Sequence, residues 1–352
     1  MSSPRFEGLD AMRVAASFGV VFLHVSVSAG SPQALEQMVK LRDFALPFLV
    51  MTAFFLLTVS LKRKPSASFT EFFPSRLRRL WIPMMAWTII YSLLFSFPDP
   101  ILFLTGYRHL WFLQFLFLAS LAAYPMISRL GELNRTSTSR TLAICGATTL
   151  LYAIFIRSWL ESYTGWYSFS SESNISLQIF VSQACTFIAY IPIAVGLGLV
   201  SDRIRQMFAE VRCRRVVLIT AFAAMALHLA SNNAPLTREI YGIAVFVAAL
   251  LPWPKISWGP WKVLVAYSYG IYILHFIPIH ILWIFLDYTN PELGGAAVLA
   301  IALIIYVASF SAAVAVRKLF PANWLIPLVS DHLSEKEIVP RAAATGCRVS
   351  VS

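Results

Sequence analysis

The chain has 352 residues, of which 58% are hydrophobic and 13% are charged, and its mean hydropathy is +0.70. Soluble domains carry about 25% charged residues, so this composition excludes an ordinary soluble globular protein and indicates an integral membrane protein. The net charge is +11. In a membrane protein, Lys and Arg that accumulate in the cytoplasmic connections account for such a charge, so nucleic acid is not an expected partner.

Apolar segments long enough to cross a membrane recur along the chain. A helix needs about 20 apolar residues to span the hydrocarbon core. We therefore predict an all-α, polytopic membrane protein with about ten transmembrane helices: 12–30, 44–61, 79–98, 109–128, 141–157, 177–200, 215–231, 237–252, 263–286 and 294–316. These lie in a transmembrane domain, 1–330, and the polar segment 331–352 is predicted to be a disordered cytoplasmic tail.

Basic residues predict the orientation of these helices, because Lys and Arg accumulate in cytoplasmic connections. With a cytoplasmic N-terminus, nearly all of the 28 Lys and Arg residues fall on the inner side, and the outer side holds only Lys40, Arg42, Arg108, Arg157 and Arg238. We therefore predict that both termini are cytoplasmic. The basic inner rim is expected to contact anionic membrane lipids.

The first predicted helix carries two ionisable residues in apolar surroundings. Arg13 lies near its inner end, and His24 follows eleven residues later, about 16 Å further along a helix. Ionisable groups at such depth are costly and indicate function. A buried imidazole is expected to be neutral, the state that a general base or nucleophile requires. Two structural interpretations stay open: in one, His24 only bonds a neighbouring helix, and in the other, Arg13 only pairs with Asp10.

Three further motifs follow in chain order. PSRLRRLWIP, at the inner end of the third helix, contains Arg76 and Arg79, whose three-residue spacing puts both on one helix face. HLWFLQFLFL, at the outer end of the fourth helix, contains His109 and Trp111, whose rings can stack on a ligand or form part of an aromatic interface belt. SYGIYILH ends at His275, midway along the ninth helix.

Together with GLDAMRVAASFGVVFLH, which contains Arg13 and His24, these motifs resemble the acyltransferase-3 family of membrane acyltransferases. The resemblance covers most of the predicted helices. It implies transfer of an acyl group, usually acetyl, from cytoplasmic acyl-CoA to a hydroxyl group of a glycan at or across the membrane. One departure is LPFLVMTAFFLL in the second helix, where Thr52 and Ala53 stand at the position of the family's Ser-Gly.

We hypothesise from this resemblance an acyl-CoA-dependent O-acetyltransferase of the bacterial inner membrane that modifies a cell-surface or lipid-linked saccharide, with no metal. The predicted catalytic residues are His24 and Arg13. The predicted CoA-binding residues are Arg13, Arg76 and Arg79. The predicted saccharide-binding residues are His109, Trp111 and His275. His24 acts either as a base or as the carrier of the acyl group, and both mechanisms stay open. Two alternative functions are a succinyltransferase acting on periplasmic glucan or exopolysaccharide, and a transporter or flippase of a lipid-linked glycan.

Overall fold

The computed structural model of the protein describes residues 6–28, 33–64, 68–95, 100–132, 138–156, 172–231, 235–285 and 294–319. Across these ranges the secondary structure is helical, and they contain no strand. The predicted boundary at residue 330 and the predicted tail, 331–352, lie outside the described residues.

The α-helices are α1 (Glu7–Ser28), α2 (Gln33–Arg42), α3 (Ala45–Arg63), α4 (Phe69–Arg76), α5 (Ile82–Phe95), α6 (Pro100–Thr105), α7 (Trp111–Glu132), α8 (Thr138–Leu151), α9 (Glu172–Ile188), α10 (Tyr190–Leu199), α11 (Ser201–Met207), α12 (Val211–Ala230), α13 (Pro235–Ala249), α14 (Gly259–Leu274), α15 (Phe276–Phe285) and α16 (Gly295–Leu319). Two π-helical segments, Leu77–Trp81 and Tyr152–Ile156, and a 3-10 turn, Arg108–Leu110, complete the described elements.

Six of the described helical segments are long and apolar enough to cross a membrane, and the number rises to eight if two bent helix pairs each form one span. The six are Glu7–Ser26, Leu35–Arg63, Trp111–Leu130, Thr138–Ile156, Val211–Ala230 and Gly295–Leu319, and the bent pairs are Phe180–Ile188 with Tyr190–Leu199 and Gly259–Leu274 with Phe276–Leu282. The prediction of an all-α, multi-pass membrane protein is therefore confirmed.

The other two of the ten predicted spans coincide with shorter helices. Span 79–98 covers the end of the π-helical segment Leu77–Trp81 and the whole of α5, which has 14 residues, and span 237–252 corresponds to α13, with 15 residues. Each of these two α-helices is by itself shorter than the ~20 residues that span a bilayer. The count of ten spans and the cytoplasmic position of both termini stay predictions.

Helix α1 is an interior helix. It packs against α3, α14 and α16, so the polar residues on it face other helices. By contrast, only 6% of the Thr138–Ile156 span and 11% of the Val211–Ala230 span are buried. Those two spans expose large apolar side chains such as Phe155 and Phe222, as expected for helices at the periphery that face lipid.

Two prolines explain irregular helix geometry near the centre of the bundle. Pro278 has no N–H to donate to the carbonyl four residues earlier, at Leu274, and α14 and α15 meet there at a 54° bend. Pro83 likewise cannot donate to the carbonyl of Arg79, and the chain forms a π-helical turn over Leu77–Trp81. Both irregularities lie next to predicted site residues.

Candidate active site

A cavity of about 300 Å³ lies between α1, α3, α7, α14 and the π-helical turn before α5. Three of its lining residues are arginines from separate parts of the sequence, Arg13, Arg76 and Arg79, and none of the described residues that line it is acidic. Its remaining walls are apolar or carry hydroxyl groups. The volume is at the lower end of the range for small-molecule sites, so the cavity can take the end of an extended ligand whose anionic part binds the arginines.

Arg76 is the last residue of α4 and is partly buried beside this cavity. Its guanidinium lies 5.2 Å from the ring centre of Phe72, and its Nε atom is buried without a hydrogen-bond partner among the described residues. Burial, and then the charge of Arg79, lowers the pKa of Arg76 to about 10, so the group stays protonated at neutral pH. A buried, incompletely bonded guanidinium is suited to an anionic ligand.

Arg79 is positioned through its backbone. Because Pro83 supplies no N–H to the Arg79 carbonyl oxygen, that oxygen needs another donor, and the Tyr269 hydroxyl donates to it at 3.1 Å. Tyr269 lies on α14 and also lines the cavity. This hydrogen bond therefore connects α14 to the π-helical turn that carries Arg79.

Arg13 makes contacts that fit both interpretations of its role. Its Nη1 atom lies 3.8 Å from a carboxylate oxygen of Asp10, one turn earlier on α1. Its Nη2 atom donates to the Ser268 hydroxyl at 3.5 Å. Arg13 also lines the cavity, so the pairing with Asp10 does not remove it from the site.

Three histidines form a cluster beside the cavity, which we call the histidine cluster: His24, His109 and His275. The ring centre of His24 lies 5.1 Å from that of His275 and 6.1 Å from that of His109, and the rings of His109 and His275 are 4.6 Å apart. Both His109 and His275 are buried, whereas His24 is partly exposed. The fold therefore joins residues from α1, the turn before α7 and the break after α14.

The break between α14 and α15 explains why the imidazoles of His109 and His275 point to this place. Carbonyl groups near a helix break lose their N–H donors, and in a membrane interior they must be satisfied by other groups. His275 donates from Nδ1 to the carbonyl oxygen of Tyr272 at 2.6 Å. The carbonyl oxygen of Ile273 accepts from His109 Nε2 at 3.1 Å and from the Tyr91 hydroxyl at 2.6 Å.

These hydrogen bonds fix the tautomers of two imidazoles. A carbonyl oxygen only accepts, so Nδ1 of His275 and Nε2 of His109 carry protons, and the other ring nitrogen of each neutral ring has a lone pair. Nε2 of His275 is buried and has no hydrogen-bond partner among the described residues. The cluster thus contains a ring nitrogen whose lone pair is available to accept a hydrogen bond.

His109 depends on an unusual backbone position just before it. Gly106 has φ of +79°, a left-handed conformation that glycine adopts without steric cost, and it begins the turn that leads to His109. A Cβ atom at position 106 would lie 2.7 Å from the carbonyl carbon of Leu110. Glycine is therefore required for this turn to close.

Tyr272 connects the cavity to the histidine cluster. It lines the cavity, and its hydroxyl donates to the backbone carbonyl oxygen of His109. None of the three histidines lines the cavity directly. The predicted donor-binding arginines therefore adjoin the histidine cluster through Tyr272, a residue that the sequence motifs did not single out. Pro278 was the one signal for it in the sequence, because a proline there indicates a broken helix at His275, close to Tyr272.

Trp111 lies apart from this arrangement. Its ring stacks on Phe187, with ring centres 5.9 Å apart, and it does not line the cavity. Its predicted contact with a saccharide stays a prediction. Thr52 and Ala53, where the chain departs from the family pattern, both line the cavity.

The three imidazoles do not form a metal site in this geometry. Over the described ranges, no group of three or more histidine, cysteine, aspartate or glutamate side chains is arranged to hold a metal ion. The cluster can still transfer protons, because neighbouring imidazoles with fixed tautomers provide both donors and acceptors.

The fold and the site define a multi-pass membrane protein in which a cavity with three arginines adjoins a buried cluster of imidazoles. The family model of acyltransferase-3, described as an acyltransferase domain, matches residues 6–318. The chain therefore belongs to this family and is a membrane acyltransferase. No curated protein and no solved structure matches it.

Proposed function

We propose that the protein transfers an acyl group from cytoplasmic acyl-CoA to a hydroxyl group of a cell-surface or lipid-linked saccharide, with acetyl as the proposed acyl group. The proposed location is the bacterial inner membrane. The observation that carries this proposal is the cavity with three arginines and its connection through Tyr272 to the histidine cluster. Acyl-CoA is a polyanion with a long neutral arm. Its phosphates suit arginines at one end of a cavity, and its thioester must reach a base at the other.

In this proposal Arg76 and Arg79 bind phosphate oxygens of the donor with their forked guanidinium groups. Arg79 is exposed and Arg76 is partly buried, an arrangement suited to the mouth of a cavity. Arg13 binds deeper, beside Ser17 and Ser268, where the neutral arm needs hydrogen-bond partners. Arg13 and His24 are eleven residues apart, close to three helical turns, so they occupy the same side of α1.

His24 is the proposed base. It removes the proton of the acceptor hydroxyl as that oxygen attacks the thioester carbonyl carbon; the C–O bond forms, the C–S bond breaks, and the proton passes to the departing thiolate sulfur. His275 accepts a hydrogen bond at its lone-pair nitrogen, Nε2, and so stabilises the imidazolium that forms on His24. A two-step transfer, in which His24 first carries the acyl group, uses the same residues.

The test is an acyl-transfer assay with the purified protein in liposomes. Radiolabelled acetyl-CoA or succinyl-CoA is supplied with saccharide extracted from a bacterial surface, and labelled saccharide is measured. We expect labelling by the wild type, and a loss of at least about 100-fold for His24→Ala, in line with removal of a general base. Label that stays on the protein after rapid denaturation at neutral pH, with the acceptor left out, distinguishes the two-step from the direct transfer.

Two matched variants control for loss of charge and loss of an imidazole. Arg78 lies between Arg76 and Arg79 in the sequence, is exposed and does not line the cavity. We expect Arg76→Ala to raise the KM for acyl-CoA about tenfold or more, and Arg78→Ala to leave it unchanged. His280→Ala serves as the control for His24→Ala. Equal labelling of the saccharide by wild type, His24→Ala and Arg76→Ala contradicts the assigned site. A correctly inserted wild type that labels no saccharide with either donor contradicts the proposed transfer activity and favours a transporter.

A further inference from the structure

A second cavity, of about 220 Å³, lies on the other half of α1 and has no part in the proposal above. We call it the Arg42–Arg238 pocket. Its walls come from α1, the junction of α2 and α3, α9 and α13, and they include Gly19, Leu23 and Gln183. Gly19 lets α1 approach this junction closely, since a Cβ atom there would lie 3.1 Å from Cβ of Ala45.

The charges around this pocket do not balance. Arg42 and Arg238 both line it and lie close enough for their charges to repel, and among the described residues that line it Asp43 is the one acidic residue. The carboxylate of Asp43 is shared: its charge acts on Arg42, and His228 donates a hydrogen bond to it at 3.2 Å. The formal sum of the two guanidiniums and one carboxylate is one positive charge.

Each of the two arginines also has one buried nitrogen for which the described residues supply no hydrogen-bond partner. This nitrogen is Nε in both Arg42 and Arg238. The guanidinium of Arg238 lies 5.8 Å from the ring of Phe187, a contact that supports the side chain and supplies no negative charge. Two cations next to each other inside a membrane protein are costly unless an anion joins them.

The position of the pocket relates it to the histidine cluster. Leu23 immediately precedes His24, and Val20, which also lines the pocket, lies one turn before His24 on the same side of α1. The donor cavity, in contrast, is lined on α1 by Arg13 and Ser17, nearer to its N-terminus. The two cavities therefore meet different faces of α1, and Arg42 and Arg238 are among the basic residues predicted to lie on the outer side of the membrane, from which the acceptor approaches.

We infer that the Arg42–Arg238 pocket binds a singly charged oxyanion of the acceptor saccharide, a sugar carboxylate or a phosphodiester. This inference rests on the proposed function for the identity of the acceptor, but the anion site itself does not depend on turnover. A single negative charge neutralises the formal sum around the pocket, whereas a phosphate dianion would also be repelled by Asp43. The amide of Gln183 offers both a donor and an acceptor for neighbouring sugar hydroxyls.

The experiment measures binding without acyl transfer. The full chain, purified in an uncharged detergent that contains no phosphate, is titrated with glucuronate, dimethyl phosphate or glucose, and the midpoint of thermal unfolding is followed by tryptophan fluorescence. A ligand that binds only the folded state raises this midpoint with its concentration. We expect a rise with glucuronate or dimethyl phosphate and none with neutral glucose, a wild-type comparison that requires no variant.

Variants then assign the response to the pocket. We expect Arg42→Gln and Arg238→Gln each to weaken the affinity for the anion about tenfold or more, because each removes a charge-assisted hydrogen-bond donor. Arg212→Gln removes the same charge from an exposed position on α12 and should leave the affinity unchanged. Arg76→Ala should also retain it, which separates this pocket from the donor cavity.

Three results overturn the inference. The first is that neither anion raises the unfolding midpoint of the wild type. The second is that Arg42→Gln and Arg238→Gln respond as the wild type does. The third is that only added phosphatidylglycerol stabilises the protein through these arginines, which makes the pocket a lipid site. If the acyl-transfer assay fails while the arginine-dependent binding is observed, the proposed function is wrong and the anion site stands.

Discussion

His275 donates from Nδ1 to the carbonyl oxygen of Tyr272 at 2.6 Å, at the point where α14 ends and the chain bends by 54° into α15. The bond satisfies a carbonyl near the helix break and, in doing so, leaves the lone pair of the neutral imidazole on Nε2. A structural consequence of Pro278 thereby fixes the protonation pattern of a residue beside His24.

We predict that His275→Ala lowers kcat about 10- to 100-fold and changes the KM for acyl-CoA little, because His275 supports the imidazolium of His24 and does not contact the donor. Steady-state kinetics in liposomes check this. His280→Ala is the matched control, since His280 packs on Phe95, with ring centres 4.0 Å apart, and is not one of the three clustered histidines. An unchanged kcat, or an effect of equal size in His280→Ala, contradicts the assigned role.

The rate of acyl transfer should fall as the pH is lowered from about 8 to about 5, the range in which imidazoles titrate. The physical reason is that an imidazolium at His24 has no lone pair with which to accept the proton of the acceptor hydroxyl. The measurement is kcat against pH, with acyl-CoA binding measured in parallel to show that the donor remains bound. A flat profile of kcat over this range counts against a histidine base.

Removal of the Tyr269 hydroxyl should weaken donor binding. In Tyr269→Phe the carbonyl oxygen of Arg79 loses its donor, so the π-helical turn is less well held, and we expect the KM for acyl-CoA to rise about three- to tenfold, with kcat unchanged. Tyr152→Phe removes a comparable hydroxyl-to-carbonyl bond, to Cys185, far from the cavity and should leave KM unchanged. An equal KM for Tyr269→Phe and the wild type would sink this account of Arg79.

Gly106→Ala should destabilise the protein by more than about 1 kcal/mol and lower its activity. Alanine is strained at a φ of +79°, and its Cβ would lie 2.7 Å from Leu110, so the turn that carries His109 must shift. The thermal unfolding midpoint and the transfer rate check this. Gly146→Ala is the control: it lies inside α8 with open space around it and should be neutral or slightly stabilising.

A pH effect on stability is expected at the cytoplasmic side of the proposed orientation. A hydrogen bond from Lys62, at 2.8 Å, lowers the pKa of the Asp202 carboxyl below its ordinary value of 3.8. A carboxyl whose pKa is depressed by folding stabilises the folded state above its unfolded pKa, and this stabilisation is lost as the pH falls through the folded pKa.

Because Asp202 is largely exposed, the effect should be below about 1 kcal/mol. The check is the unfolding midpoint of wild type and Asp202→Asn between pH 7 and 3. We expect the wild type to be the more stable at pH 7 and the difference to shrink as the pH falls below 3.8. A difference that stays constant over the whole range means that Asp202 acts by packing rather than by its charge.

The sequence by itself determined the membrane class, the helical fold and the relative position of Arg13 and His24. Hydropathy is a local property that measures transfer of a segment into lipid, so apolar windows identify spans such as Trp111–Leu130 without knowledge of their neighbours. The spacing of Arg13 and His24 is likewise fixed by one helix, which makes their shared side predictable. Hydropathy windows placed the ends of shorter helices such as α5 and α13 less accurately, because apolar composition does not determine where a helix ends.

Only the tertiary structure decided which side chains meet. His109 and His275 lie far from His24 in sequence, and no local pattern encodes their ring distances of 6.1 and 5.1 Å. These distances depend on the break between α14 and α15 and on α1 packing against α14. Trp111, only two residues after His109, is directed to Phe187 instead. The Arg42–Arg238 pocket also depends on tertiary structure. In the sequence, each arginine was only a basic residue counted on the outer side, and packing of α13 against α3 brings their charges together.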